Sequence, residues 1–167
     1  MTAARRSRKR YVRSFWLSWA FVILSLSAIP PALQAATTER IVVDRHTGLA
    51  IYGIDPVAYF TDRKPVTGRP DFEYRHEGAI WRFDNEGNRA AFARDPEVYT
   101  PRFGGYDPVG VSRGLATPGY PALWLVHDER LYLFYTESAR QAFIAKPAAV
   151  IAEAATRWAE VKGELAE

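Results

Sequence analysis

The chain has 167 residues, 48% hydrophobic and 14% aromatic, a composition that excludes a disordered tail and supports one domain with a substantial core. The net charge of +3 comes from six basic residues before residue 14; residues 37–167 carry 16 basic and 19 acidic residues, which argues against nucleic acid as a partner. The absence of cysteine excludes disulfides, thiol nucleophiles and thiolate metal sites.

Residues 1–36 have the pattern of an export signal. A basic segment precedes an apolar run over residues 15–29, and the small residues of ALQAA predict cleavage near Ala35 or Ala36. Because a spanning helix needs about 20 residues, a cleaved signal peptide is favoured, with a retained membrane anchor as the alternative. Both outcomes predict a domain outside the cytoplasm, either periplasmic or anchored to the inner membrane through residues 15–29 alone.

The stretch GIDPV at residues 53–57 returns as GYDPV at residues 105–109, and similar sequence follows each copy. When residues 72–99 are set against residues 123–150, identical residues recur at a shift of 51. The matched pairs include His76 with His127, Phe83 with Phe134, Glu86 with Glu137, Arg89 with Arg140, Phe92 with Phe143 and Pro96 with Pro147. The pattern predicts two copies of one structural unit.

Each copy has the pattern of a loop, a β-hairpin and a helix. Apolar and charged residues alternate over residues 72–76, which predicts a strand with one buried face that returns after a turn as residues 79–83. Asn85 and Thr136 have the character of helix N-caps, each is followed by Glu, and each predicted helix ends near a proline. Since about 45 residues cannot bury a sufficient core alone, we expect the two units to pack as one domain.

The predicted fold class is therefore α+β, with two repeated loop–hairpin–helix units packed together and a C-terminal amphipathic helix. The predicted segments are a leader at 1–36, a lead-in at 37–52, the first unit at 53–104, the second unit at 105–147 and the last helix at 148–167. Apolar residues recur at helical spacing in the last segment, so we expect that helix to pack on the domain's own sheet.

The first unit resembles the YHS domain in three ordered blocks, IDPVAYF at 54–60, FDNEGNRAAF at 83–92 and DPEVY at 95–99. Over roughly residues 48–162 the chain is similar to exported bacterial YHS-domain proteins, which share the DPVAYF and GGY stretches and a terminal helix with a Trp. The resemblance implies the fold, and the family's cysteine-bearing members bind metals and often accompany heavy-metal transport systems. Relatives carry cysteine at the places of Ala58, Asp84, Asn88 and Asp107, so a thiolate site of the family type cannot form in this chain.

Nitrogen and oxygen ligands remain as candidates. His76 and His127 occupy matching hairpin positions, and a pseudo-twofold packing of the units would bring them together around Cu(II) or Zn(II), with Asp84 and Asp107 as further candidate ligands. The alternative is that each histidine is only the last strand residue before a turn, and that the aspartates make turn or helix-start hydrogen bonds.

Aromatic residues concentrate in the loops that open each unit. Tyr59, Phe60 and Tyr106 are candidates to line a ligand pocket there, and core packing between the units is the alternative. The sequence has no P-loop, dinucleotide fingerprint or nucleophile elbow, and no enzyme is predicted.

The predicted function is a non-catalytic binding or accessory module of the cell envelope, linked by the resemblance to copper or other heavy-metal homeostasis. The alternative is a metal-independent domain that binds a small ligand or a cell-envelope protein and has lost the family's cysteine ligands.

Metal titration separates these two functions. If the histidines form a metal site, purified residues 37–167 bind Cu(II), Cu(I) or Zn(II) tightly in calorimetry, and the His76→Ala/His127→Ala double variant loses that binding. No binding by the wild-type domain contradicts the metal prediction and favours the metal-independent alternative.

Overall fold

The computed structural model describes residues 40–165, so the predicted leader lies outside the described residues. This part of the chain is a mixed α/β structure with two small antiparallel sheets and six helices, which is compatible with the predicted α+β class. The strands are β1 (Arg69–His76), β2 (Ala79–Phe83), β3 (Tyr120–His127) and β4 (Arg130–Phe134). The helices are α1 (Ala58–Thr61), α2 (Glu86–Arg94), α3 (Pro96–Tyr99), α4 (Pro108–Val111), α5 (Glu137–Ala145) and α6 (Pro147–Glu164). Across residues 40–165, no helix has the length and apolar character needed to cross a membrane.

Each sheet is a two-stranded hairpin. Strand β1 pairs with β2 so that His76 faces Ala79, and β3 pairs with β4 so that His127 faces Arg130. In β2 alternate residues are buried, as the period-two pattern predicts, whereas residues 131–134 of β4 are all buried. Both hairpins have an irregular register near the start of their first strand, which bends that strand and increases its twist.

The predicted helix starts are confirmed. The side chain of Asn85 accepts a hydrogen bond from Asn88 N at 2.9 Å, and that of Thr136 accepts one from Ala139 N at 3.1 Å. Each cap satisfies a backbone N–H in the first turn, which has no partner within the helix. The two prolines that were expected to end these helices begin the next ones, since Pro96 is the first residue of α3 and Pro147 that of α6.

Two apolar clusters form the core, and a fully buried phenylalanine lies in each. Phe92 packs against Trp81 and Phe83 with ring centroids 5.0 and 5.2 Å apart, in the cluster around β2. Phe143 packs against Tyr132 and Phe134 at 4.8 and 5.3 Å, in the cluster around β4. Helices α2 and α5 are thereby held on their hairpins by aromatic contacts.

The segment before the 3-10 turn Ile51–Gly53 joins these clusters. Ile41 belongs to the first cluster and Val42 to the second, and both side chains are 3% exposed. Val42 N donates to Gly104 O at 2.8 Å. A Cβ at Gly104 would lie 1.9 Å from the Arg40 carbonyl oxygen, so only glycine permits this approach. The GGY stretch therefore serves to seat the lead-in segment.

Left-handed backbone precedes both GxDPV loops. Ile51, Tyr52 and Gly53 have φ angles of 41°, 60° and 75°, and the later turn places Phe103, Gly104 and Gly105 at 56°, 63° and 89°. A left-handed conformation costs a residue with a side chain roughly 1–2 kcal/mol. Both turns are thus maintained by contacts made elsewhere in the fold.

Phe92→Ala should destabilise the domain by about 3–5 kcal/mol, because it leaves a cavity among aromatic rings in the core. Urea unfolding followed by circular dichroism measures the loss. Ile144→Ala is the control, since that side chain on α5 is 46% exposed and its removal should change stability by less than about 0.5 kcal/mol. Equal losses in the two variants would contradict the assigned core.

Candidate functional site

Asp55 is the buried centre of the first GxDPV loop, with no exposed surface. Its Oδ1 accepts from Val57 N at 2.8 Å and from Ala58 N at 3.3 Å. Its Oδ2 accepts from Asp84 N at 2.9 Å and from Asn88 Nδ2 at 2.7 Å. One carboxylate thus shapes its own loop and ties that loop to the junction of β2 with α2.

Asp107 has the corresponding place in the second loop and is 4% exposed. Its Oδ1 accepts from Val109 N at 2.9 Å and its Oδ2 from Tyr135 N at 3.2 Å. Burial raises the pKa of the Asp107 carboxyl, and the backbone donors together with the charge of Arg113 offset the rise only in part. The turn hydrogen bond expected of Asp107 is present, Asp55 makes bonds of the same kind, and the longer-range ones are additional.

The two predicted histidine ligands each face their own core. His76 lies edge-on to Phe92 at 5.7 Å, and His127 lies edge-on to Phe143 at 5.8 Å with its Nε2 3.3 Å from Asp128 Oδ2. No group of three or more His, Asp or Glu side chains within residues 40–165 is arranged to hold a metal, so His76, His127, Asp84 and Asp107 do not form one. The titration described above remains the test of metal binding.

The three aromatic candidates do not share a pocket. Tyr59 and Phe60 line a cavity of about 370 Å³ together with Trp124, whereas Tyr106 lines a separate one of about 240 Å³. Tyr59 and Tyr106 are only 1% and 2% exposed, and the Tyr59 hydroxyl donates to Pro121 O at 2.9 Å. Burial strongly raises the Tyr59 pKa, so this phenol stays protonated. Both tyrosines contribute mainly to the core.

A larger cleft, of about 410 Å³, lies where the β1–β2 turn, the segment after α3, the start of β4 and helix α6 meet. His76 is the one predicted site residue among its lining residues. The side chains that give the cleft its chemistry are Glu77, Glu97, Thr100, Arg102, Phe103, Arg130 and Trp158.

Two guanidinium groups dominate the polar part of this cleft. Arg130 Nη1 donates to Glu97 O at 2.8 Å, and the Arg102 guanidinium lies 5.5 Å from the centre of the Phe103 ring. Over residues 40–165, neither guanidinium is within ion-pair distance of a carboxylate. The Thr100 Oγ1 is buried and, within the same part of the chain, has no hydrogen-bond partner. The cleft therefore has donors available for an acceptor group of a ligand.

The apolar part of the cleft is aromatic. The Trp158 ring on α6 lies 5.8 Å from the Phe103 ring and 6.0 Å from the Tyr106 ring. Lys162 Nζ lies 5.9 Å from the Trp158 ring, which adds positive charge beside it. A few polar donors beside flat apolar walls are typical of small-molecule sites.

Sequence patterns did not predict this arrangement; of its lining they pointed to His76 and to Trp158 of the last helix. Thr100, Arg102 and Arg130 belong to no motif, and Arg130 is brought to the others by the second hairpin.

Comparisons with models of known protein families, with curated proteins and with solved structures gave no match to this chain. The YHS resemblance therefore remains a prediction that is carried by the quoted residues.

Asp55→Asn should cost about 3 kcal/mol or more in unfolding free energy, because two buried donors would face an amide NH2 group in place of a carboxylate oxygen. Asp107→Asn should cost only about 1–2 kcal/mol. One long hydrogen bond is affected, and the removal of a buried charge offsets part of that loss. Urea unfolding at pH 7 measures both. A larger loss in Asp107→Asn would contradict the assigned difference between the two carboxylates.

Proposed function

We propose that this protein is a non-catalytic binding module that holds a small organic monoanion with an aromatic or apolar body, without a metal, in the cleft lined by Arg102, Arg130 and Trp158. The observation that carries the proposal is the combination, in one cleft, of two guanidiniums outside ion pairs and a buried hydroxyl without a partner, both judged over residues 40–165, with two aromatic walls.

The charges favour one negative group on the ligand. Guanidinium groups form forked hydrogen bonds that match a carboxylate, and such charge-assisted bonds are the stronger class. Glu77 and Glu97 also line the cleft, so its formal charge is close to balanced. A monocarboxylate fits this balance better than a phosphate dianion, which Glu77 and Glu97 would repel.

The aromatic walls favour a flat or apolar body. Phe103 and Trp158 present ring surface in a space of about 410 Å³, a volume within the range of sites for drug-sized ligands. Burial of ligand apolar surface against these rings would contribute most of the affinity, and the arginines would fix the orientation.

The family and the repeat belong to the same proposal. We infer that two YHS-type units, joined by duplication, form the domain, and that it works in the cell envelope as an accessory module. The support is that Asp55 and Asp107 make matching hydrogen bonds, and that Asn85 and Thr136 cap matching helices. The resemblance implies metal binding for cysteine-bearing YHS-domain proteins, whereas the site proposed here uses no metal.

We expect 3-phenylpropionate to bind the full-length protein and to quench tryptophan fluorescence, because the ligand would lie against Trp158. The Arg102→Ala/Arg130→Ala variant should bind at least tenfold more weakly, which corresponds to about 1.4 kcal/mol. Arg94→Ala is the matched control, since Arg94 pairs with Asp95 and does not line the cleft. The neutral analogue 3-phenylpropanol should bind wild type more weakly than 3-phenylpropionate does, and the double arginine variant should bind it as wild type does.

Added EDTA should leave the affinity unchanged. Equal binding of 3-phenylpropionate by wild type and the double arginine variant would contradict the proposed site, and loss of binding in EDTA would contradict metal independence. Circular dichroism of each variant establishes that the fold is kept.

A further inference from the structure

The two buried aspartates are not equally supplied with hydrogen-bond donors. Asp55 Oδ2 accepts from a backbone N–H at 2.9 Å and from the Asn88 amide at 2.7 Å. Within residues 40–165, the hydrogen bond that Asp107 Oδ2 accepts is from Tyr135 N, at 3.2 Å, and no side-chain amide joins it. A carboxylate oxygen has room for two donors, so the second loop lacks one that the first loop has.

The helix caps show which residue of the second unit corresponds to Asn88. Asn88 is the residue whose backbone N–H is bound by the Asn85 cap, and Ala139 is the residue whose N–H is bound by the Thr136 cap. Ala139 therefore stands where the first loop has Asn88, and its methyl group cannot donate a hydrogen bond to Asp107. Among the described residues, no side chain hydrogen-bonds to Asp107 as the Asn88 amide does to Asp55.

A cavity of about 330 Å³ lies at this place. Asp107, Arg113, Tyr135 and Ala139 are among the residues that line it. Thr136 and Ser138 also line it, but their hydroxyl oxygens are 2.9 Å apart and hydrogen-bond each other. The cavity thus combines an acceptor that lacks a donor with a guanidinium donor.

The rest of the lining includes Thr117 and, at the edge that is open to solvent, large apolar side chains. Leu115 and Tyr135 line the cavity and are 56% and 46% exposed, and the Tyr135 ring stacks on that of Tyr120 with centroids 5.5 Å apart and planes at 21°. Exposed apolar side chains at the edge of a cavity are more informative than isolated ones, since they offer a surface to a flat ligand.

We propose that this cavity binds a small molecule through a primary carboxamide. The NH2 group of the ligand donates to Asp107 Oδ2, as the Asn88 amide does to Asp55, its carbonyl oxygen accepts from Arg113, and its flat apolar body lies against Leu115 and Tyr135. This site is separate from the cleft at Trp158 and does not depend on the function proposed for that cleft.

The charges in the cavity select a carboxamide over its charged analogues. An ammonium group would be attracted by Asp107 and repelled by Arg113, and a carboxylate would be attracted by Arg113 and repelled by Asp107, so each charged group gains one contact and loses the other. A primary carboxamide presents a donor and an acceptor on one plane and needs no ionisation. Burial raises the pKa of the Asp107 carboxyl, and its backbone donors offset the rise only in part, which agrees with room for a further donor there.

Benzamide is the probe for the test. Added to the 15N-labelled full-length protein, it should shift the backbone amide signals of Gly110, Tyr135 and Ala139 with saturation, and leave those of Arg102 and Trp158 in place. N,N-dimethylbenzamide lacks the donor and benzoate carries a negative charge, so each should bind at least tenfold more weakly than benzamide.

Two substitutions of Ala139 separate the effect of supplying a hydrogen-bond donor from the effect of filling the cavity. Ala139→Asn supplies the internal amide, so it should abolish benzamide binding and also lower the pKa of Asp107, followed by the 13C shift of its carboxyl carbon. Ala139→Leu fills the cavity without a donor, so it should abolish binding without lowering that pKa. Gln141→Asn, on the same helix and outside the cavity lining, should leave both unchanged.

The proposal is wrong if benzamide fails to bind wild type, if dimethylbenzamide or benzoate binds as well as benzamide, or if Ala139→Asn binds benzamide like wild type. Shifts confined to Arg102 and Trp158 would place the probe in the other cleft and would likewise overturn it.

Discussion

A buried carboxylate is costly unless N–H groups surround it, and both GxDPV loops are built to supply those groups. At Asp55 the N–H donors come from the loop itself and from the hairpin–helix junction that follows it 29 to 33 residues later in the chain. The carboxylate thus joins segments that are distant in sequence, and a similar link at Asp107 joins the second loop to Tyr135. The positions of the hairpins and of helices α2 and α5 depend on these two links.

The lead-in segment and helix α6 also pack into the core. Ile41 and Val42 enter different apolar clusters, and Ala154 and Val161 of α6 are buried. The side of α6 that carries Trp158 then forms a wall of the cleft. Because the same helix is packed in the core and lines the cleft, the aromatic wall is held rigidly, which reduces the entropy lost when a ligand is ordered there.

Features fixed by neighbours in sequence could be predicted. The hairpins, the caps at Asn85 and Thr136 and the placement of the prolines follow from patterns within a few residues. Contacts between residues 33 positions apart could not be predicted. Examples are the hydrogen bonds of Asn88 with Asp55 and of Arg130 with the carbonyl of Glu97. The packing of His76 and His127 edge-on against the phenylalanines of the helices after their own hairpins could not be predicted either, because a strand pattern does not specify contacts with a later helix. The cleft and the Asp107 cavity depend on packing between segments, which single-sequence patterns do not encode.

The left-handed turns at residues 51–53 and 103–105 bear on the order in which the domain forms. In an unfolded chain Ile51, Tyr52 and Phe103 rarely adopt positive φ, so these turns cannot guide the early steps of folding. Hairpins and helices form from local contacts, and the turns close only when the lead-in segment and the buried aspartates are in place to hold them. Because the loops that carry Asp55 and Asp107 are buried, we expect their backbone amides to exchange with solvent only when the domain unfolds as a whole.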